Sequence, residues 1–240
     1  MRPLLWGLAL LAAPLGDGAP STVATPSEIE RILPVRTGEG IVLHHVKAEP
    51  VIHLGRPSLR VIQAPPGAAA GAPGVFEAIA VLPDSDFGDG EILTELAGTP
   101  REGAPEGARG FVGIAFHVQG AGERFECFYL RPTNGRADDQ LRRNHATQYV
   151  SSPEYPWDRL RKEKPGVYES YVDLVPAEWT RVRIVVRGAR ALLFINGAEQ
   201  PTLMVNDLKL GKTSGRIALW IGDGTEAWFT DMKVVPAAVR

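Results

Sequence analysis

The chain holds one cysteine, Cys127, among its 240 residues. An intramolecular disulfide is excluded, so the fold must rest on core packing, which a domain of roughly 200 residues can supply. Charge of either sign is not in excess, since 26 Lys and Arg against 28 Asp and Glu leave a formal −2. The basic surplus of a nucleic-acid binder is therefore missing. With 44% hydrophobic residues the chain also lacks the profile of a disordered polymer. No apolar run reaches the roughly 20 residues that a membrane-spanning helix needs. What the sequence has in plenty is turn formers, 26 Gly and 20 Pro, which suit many short strands.

Residues 1–24 read as an export leader. Arg2 supplies a positive start, and Leu4 to Leu15 is an apolar run of 12 residues, too short to cross a bilayer but right for a secretory core. Small residues at Gly16, Gly18, Ala19 and Ala24 offer several cleavage points, and the expected destination is secreted or periplasmic. Residues 25–40 read as a tether and a short helix, because Ser27-Glu28-Ile29-Glu30 has the form of a capping box and Pro34 would stop the turn. Residues 41–236 then read as a single all-β domain with no second convincing helix.

Two hairpins stand out. Phe111 to Val118 and Arg124 to Arg131 flank Gln119-Gly120-Ala121-Gly122-Glu123. Strand alternation puts Val112, Ile114 and Phe116 on one face with Phe128 and Leu130. The other face carries Gly113, Ala115 and His117 beside Phe125, Cys127, Tyr129 and Arg131. That is a core face backed by a shallow groove. Thr180 to Val186 and Ala191 to Ile195 form the second hairpin around Gly188, with Arg181 and Arg183 on a wet face; Asn196-Gly197 marks a tight turn. Further strands are expected at Ile41–Lys47, Leu59–Ile62, Val75–Leu82, Glu91–Leu96, Thr147–Val150, Tyr168–Leu174, Ile217–Ile221 and Ala227–Val234. So many short strands predict a jelly-roll β-sandwich of two antiparallel sheets.

Trp179–Val185, Phe194–Gly197 and Gly215–Trp220 resemble the closing strands of laminin G-like and concanavalin A-like jelly rolls: a W-x-x-V/I-x-I/V-x-V strand, a strand ending in V-N-G, then G-x-I-x-L-W. The stretch from about Asp84 to Val234, with FVGIAFHVQGAGERFECFYLRPTNG as one of its carriers, is similar to exported bacterial proteins with 3-keto-disaccharide hydrolase-like domains, and more distantly to family 16 glycoside hydrolases. The resemblance implies a concanavalin A-like sandwich and a saccharide or glycan partner. Members of this fold range from sugar-cleaving enzymes to domains without assigned activity, so fold alone does not name a reaction.

The E-x-D-x-x-E strand, by which retaining glucanases of this fold hold their paired acids, is absent. The stretch from Arg131 to Arg161 is rich in the groups a sugar site needs. Tyr149, Tyr155 and Trp157 offer flat rings; Arg131, Asn134, Arg142, Asn144 and Arg159 offer hydrogen bonds to hydroxyls. The alternative is that the rings pack this loop while its arginines pair with Asp138, Asp139, Asp158 and Glu163. Glu126, His117 and His145 are the candidate acids or bases for a hydrolase or lyase, with Arg131 as an oxyanion partner. Asp84, Asp86 and Asp89 form an oxygen-rich turn of the kind that suits Ca²⁺. His44 and His45 point to opposite strand faces and do not suggest a shared metal. Three functions stay open: a carbohydrate-binding jelly roll, a (3-keto-)saccharide hydrolase or lyase, and a laminin G-like protein-binding module.

Overall fold

The computed structural model of the chain describes residues 30–65 and 77–237. The expected leader, most of the capping box (Ser27 to Ile29) and the start of the strand expected from Val75 lie outside those residues. Among the described residues sixteen strands follow one another. The first five are β1 (Arg31–Leu33), β2 (Val42–His44), β3 (Val46–His53), β4 (Arg56–Gln63) and β5 (Ile79–Val81). Next come β6 (Gly90–Pro100), β7 (Val112–Gln119), β8 (Arg124–Leu130), β9 (Thr147–Ser152) and β10 (Glu169–Ser170). The last six are β11 (Thr180–Arg187), β12 (Arg190–Ile195), β13 (Leu203–Val205), β14 (Arg216–Ile221), β15 (Thr225–Phe229) and β16 (Met232–Pro236). Two short helices, α1 (Gln140–Asn144) and α2 (Trp157–Glu163), interrupt them.

The strands form two antiparallel sheets. A nine-stranded sheet runs β13-β12-β11-β6-β15-β4-β3, with β16 also lying along β6 and β1 along β16. A seven-stranded sheet runs β10-β9-β8-β7-β14-β5-β2. One hydrophobic cluster joins them. Ile92, Leu96, Val182, Ile184 and Leu193 enter it from the first sheet; Val112, Ile114, Phe116, Phe128 and Leu219 enter from the second. The jelly-roll sandwich expected from the sequence is therefore the architecture found.

Both expected hairpins are present, β7–β8 and β11–β12. On β11, Thr180, Val182, Ile184 and Val186 are buried while Arg181 and Arg187 are exposed, the period-2 pattern of a sheet with one wet face. At Asn196-Gly197 both residues have positive φ, 53° and 78°, as a type I′ turn requires. The Asn196 side chain accepts the Arg181 N–H at 2.9 Å.

Other expectations change. The helix expected around residue 30 is instead the strand β1, paired with β16 from Arg31↔Val234 to Leu33↔Met232; a short 3₁₀ turn follows Pro34 at Val35–Thr37. The sandwich thus takes in residues that the sequence assigned to a tether. The strand expected over Ile41–Lys47 splits at His45, whose φ is 56°. β2 belongs to one sheet and β3 to the other, so the chain crosses the sandwich there. The Arg131–Arg161 stretch is not one irregular loop. It holds α1, β9 and α2, and Asp139 caps α1 by accepting the Arg142 N–H at 2.7 Å. Among the described residues no helix is long and apolar enough to cross a membrane.

Candidate functional site

The face of the seven-stranded sheet turned away from its partner carries the site. Gly113 on β7 pairs with Tyr129 on β8 and with Trp220 on β14. The two large rings lean together across the glycine, their centroids 4.6 Å apart and their planes 29° off parallel. A Cβ at Gly113 would meet the Phe128 carbonyl at 2.3 Å and the Tyr129 Cβ at 2.6 Å, so only glycine fits under this pair. Ala115, Cys127 and Ala218 continue the small-residue floor along the same strands. The alternation expected for β7 and β8 holds as far as Ala115, and of the residues it places on this face Tyr129 lines the larger cavity.

Against the Tyr129–Trp220 pair lies a cavity of about 530 Å³ with aromatic walls of Phe111, Tyr129, Trp157 and Trp220. Its polar lining includes Glu77, Ser152, His45, Gln63 and Asp223. Trp157 opens α2 and stands 46% exposed, the posture of a ring that can take a flat ligand face. Glu77, just ahead of β5, is the acid inside. Desolvation raises its pKa above the ordinary carboxylate value, against hydrogen bonds from Trp220 Nε1 at 3.2 Å and Ser152 Oγ at 3.4 Å. Asp223 is held at the rim by Gln63 Nε2 at 2.7 Å.

A second hollow of about 280 Å³ shares Gly107, Phe111, Tyr129 and Trp157 with the first. Its remaining lining is Arg109, Arg131, Asn134, Arg142, His145 and Arg161. Arg131 is 5% exposed, and its guanidinium donates to the His145 carbonyl, Glu169, Tyr129 Oη and Gln148 Oε1 at 2.9–3.3 Å. It fixes Tyr129 from behind rather than reaching outward. Asn134 is likewise tied down, donating to the His145 carbonyl at 3.2 Å and accepting from Arg142 at 3.4 Å. Arg161 bonds Glu169 and lies 4.7 Å from the Trp157 ring centre. His145 Nε2 sits 3.6 Å from Glu169, and desolvation holds its pKa below the usual histidine value despite that acid.

Of the candidates drawn from the sequence, Trp157, Arg131, Asn134, Arg142 and His145 are thus brought together at one groove. The others are not. Glu126 shares the parity of Phe128 and points into the core, where it accepts from Tyr149 Oη at 2.5 Å and from the Leu210 N–H at 2.7 Å. Burial raises the pKa of both Glu126 and Tyr149. Tyr149 is a core residue, not a stacking platform. His117 was expected on the groove face, but a bulge between Phe116 and Gln119 gives it a φ of 53° and breaks the alternation. It is fully buried, its Nε2 lies 3.2 Å from the Gly88 carbonyl, and desolvation lowers its pKa.

Tyr155 packs beside Arg159 and Lys209 and is partly buried against the core. Arg159 pairs with Glu163 at 2.7 Å, and Asn144 accepts from Gln140 at 2.8 Å, so neither lines the groove. The loop-packing alternative describes Tyr155 and Arg159. Asp84, Asp86 and Asp89 do not converge. Arg31 binds the backbone carbonyls of Asp84 and Asp86, and Asp89 accepts the Gly188 N–H at 2.7 Å. Among the described residues no group of three or more His, Cys, Asp or Glu side chains is placed to hold a metal ion.

Sequence reasoning missed Glu77, Phe111, His45, Gln63 and Asp223 as site residues and read Trp220 only as part of a strand motif. Glu77 fell inside the strand expected over Val75–Leu82, whose near-continuous apolar run gives no alternation to orient it. Trp220 did carry a signal, standing one strand away from Gly113, but only the register reveals that they meet.

Two facing antiparallel sheets, one with an aromatic groove on its outer side, define a jelly-roll β-sandwich. A solved Bacillus subtilis protein of unknown function with a galectin-like fold matches at a TM-score of 0.53 and 15% identity, over 88% of this chain and 96% of that one. Looser matches include carbohydrate-binding module CBM66 from Bacillus subtilis (TM-score 0.48, 8% identity, 80% and 96% covered). A lectin from Bauhinia forficata in complex with GalNAc is another (TM-score 0.48, 8% identity, 89% and 100% covered). No protein-family profile and no curated protein sequence matches the chain. The likeness at these identities is one of fold.

Proposed function

We propose that the chain is an exported carbohydrate-binding jelly roll whose site is the groove over Tyr129 and Trp220, walled by Trp157 and Phe111. The observation that carries this reading is the site's composition. Rigid aromatic faces stand beside a few fixed polar groups, Glu77, Ser152, Gln63 and Asp223, in a cleft sized for roughly one to three sugar rings. Flat rings cover the C–H faces of a sugar, and the polar groups bond its hydroxyls. The sequence resemblance to exported 3-keto-disaccharide hydrolase-like proteins agrees with this reading. Residues 1–24 supply the export signal.

A second reading, cleavage of a (3-keto-)saccharide, is favoured by Glu77 alone. A desolvated carboxyl beside a binding cleft has the perturbed proton affinity that a general acid or base uses. One experiment separates the two. The protein is incubated with a panel of oligosaccharides and 3-keto-glycosides, and thermal shift and product release are read from the same wells. Binding raises the melting temperature without products; cleavage yields products that Glu77→Gln abolishes. A panel that changes neither overturns both readings.

A further inference from the structure

The two lobes of the groove differ in charge. In the larger, the carboxylates are Glu77 and Asp223, and among the described residues no arginine or lysine joins them in the lining. In the smaller, Arg109, Arg131, Arg142, Arg161 and His145 line the wall, with no carboxylate among the described residues that line it. The acid beneath that wall is Glu169, whose side chain is 2% exposed and which binds Arg131 and Arg161. Arg109 Nη1 donates to the carbonyls of Glu106 and Ala108 at 2.6 and 2.9 Å, which leave its charge in place. The Arg142 guanidinium donates to the neutral Asn134 Oδ1, at 3.4 Å. Asp139, at the foot of α1, is engaged on the Arg142 N–H, and Asp173 is bound by Arg136. Four arginines over one buried carboxylate leave a surplus of positive charge at the end of an aromatic cleft, on a chain whose formal charge is −2.

Hydroxyls of a neutral sugar need no such surplus. Guanidinium groups present planar forks that match carboxylate and sulfate oxygens, and they bind them more strongly than neutral acceptors. Resting on the saccharide reading above, we propose that the ligand is an acidic saccharide. Its ring lies against Trp157 and Phe111, and its anionic substituent, a carboxylate or a sulfate, enters the lobe between Arg109 and Arg142. Arg131 and Arg161, already bound to Glu169, contribute field rather than new bonds.

The test uses pairs of probes that differ only in charge. These are an oligogalacturonide and its methyl ester, and a sulfated galactan oligosaccharide and its desulfated form, each titrated calorimetrically into the full chain. The acidic member of at least one pair should bind about tenfold or more tightly than its neutral twin, a difference of about 1.4 kcal/mol. That margin should shrink as salt is raised. Which pair shows the margin tells carboxylate from sulfate. Arg109→Gln and Arg142→Gln together should collapse it, with melting curves confirming that this rim change leaves the fold intact. Equal binding of acidic and neutral twins overturns the inference and leaves the saccharide groove standing. A margin that survives the double substitution places the anion elsewhere and also overturns it. Failure of every probe to bind overturns the groove reading as well.

Discussion

Glu126 and Glu77 sit on opposite faces of the same sandwich wall and share one property, a proton affinity raised by desolvation. What separates them is how they are bonded. Glu126, on the inward face, receives the Tyr149 hydroxyl at 2.5 Å and the Leu210 N–H at 2.7 Å. Glu77, on the outward face, receives Trp220 Nε1 at 3.2 Å and Ser152 Oγ at 3.4 Å, and opens onto a cavity. A buried acid with short bonds on both oxygens is finished as a piece of structure. One with long bonds beside an open cleft keeps acceptor capacity for a ligand. A perturbed carboxyl alone does not mark a functional site; unspent hydrogen-bonding capacity facing a cleft does.

Substitutions can press on this contrast from both sides. Glu126→Ala should have the largest effect. It strands the Tyr149 hydroxyl and the Leu210 N–H inside the core and should cost about 3 kcal/mol of stability, read by denaturant unfolding. Gly113→Ala comes next. Its Cβ has no room beneath Tyr129 and Trp220, so about 1–3 kcal/mol of strain is expected. Unlike Glu126→Ala, it should also weaken saccharide binding, by prying the two rings apart, which calorimetric titration will read. Trp157→Ala should reverse the pattern. Affinity should drop by about 2 kcal/mol, or about thirtyfold. Stability should move by less than about 0.5 kcal/mol, because the ring is a partly exposed wall.

The smallest effect belongs to Glu77→Gln and depends on pH. A carboxyl whose native pKa is raised binds its proton more tightly when folded. The stability it confers is whole below the ordinary carboxylate pKa and is lost as pH rises through the raised native value. Glu77→Gln removes that loss. The variant should match the wild type in acid and be the more stable of the two at neutral pH, as denaturant curves at the two pH values will show. Equal difference at both pH values would mean that Glu77 is not desolvated.

The inward face was largely legible in the sequence, and the outward face only in part. Val112, Ile114, Phe116, Phe128 and Leu130 are bulky apolar residues at every second position, facing the other sheet, and on β11 burial itself alternates, which is why β7, β8, β11 and β12 could be read from their residues alone. Local chemistry was also enough for the Asn196-Gly197 turn, whose residues carry the positive φ it demands. It was not enough for the turn at Leu54-Gly55, where a leucine takes a φ of 47° because the β3–β4 pairing requires it. His117 was misplaced because one extra residue in a strand reverses the faces after it. The expected helix near residue 30 became β1 because β16 offered an edge to pair with, which no local signal records. Glu77 and Asp223 reach the groove from segments far apart in the chain, so only the fold brings them together.

The most direct test of the groove is to label the tryptophans with fluorine and record their resonances as neutral and acidic oligosaccharides are added separately. Trp157 and Trp220 line the groove, whereas Trp179 and Trp228 gather around His53 in another aromatic cluster. Single Trp→Phe substitutions assign these four signals. A saccharide should shift the Trp157 and Trp220 resonances and leave Trp179 and Trp228 in place. Shifts confined to Trp179 and Trp228, or no shift with any saccharide, would contradict a saccharide site at this groove.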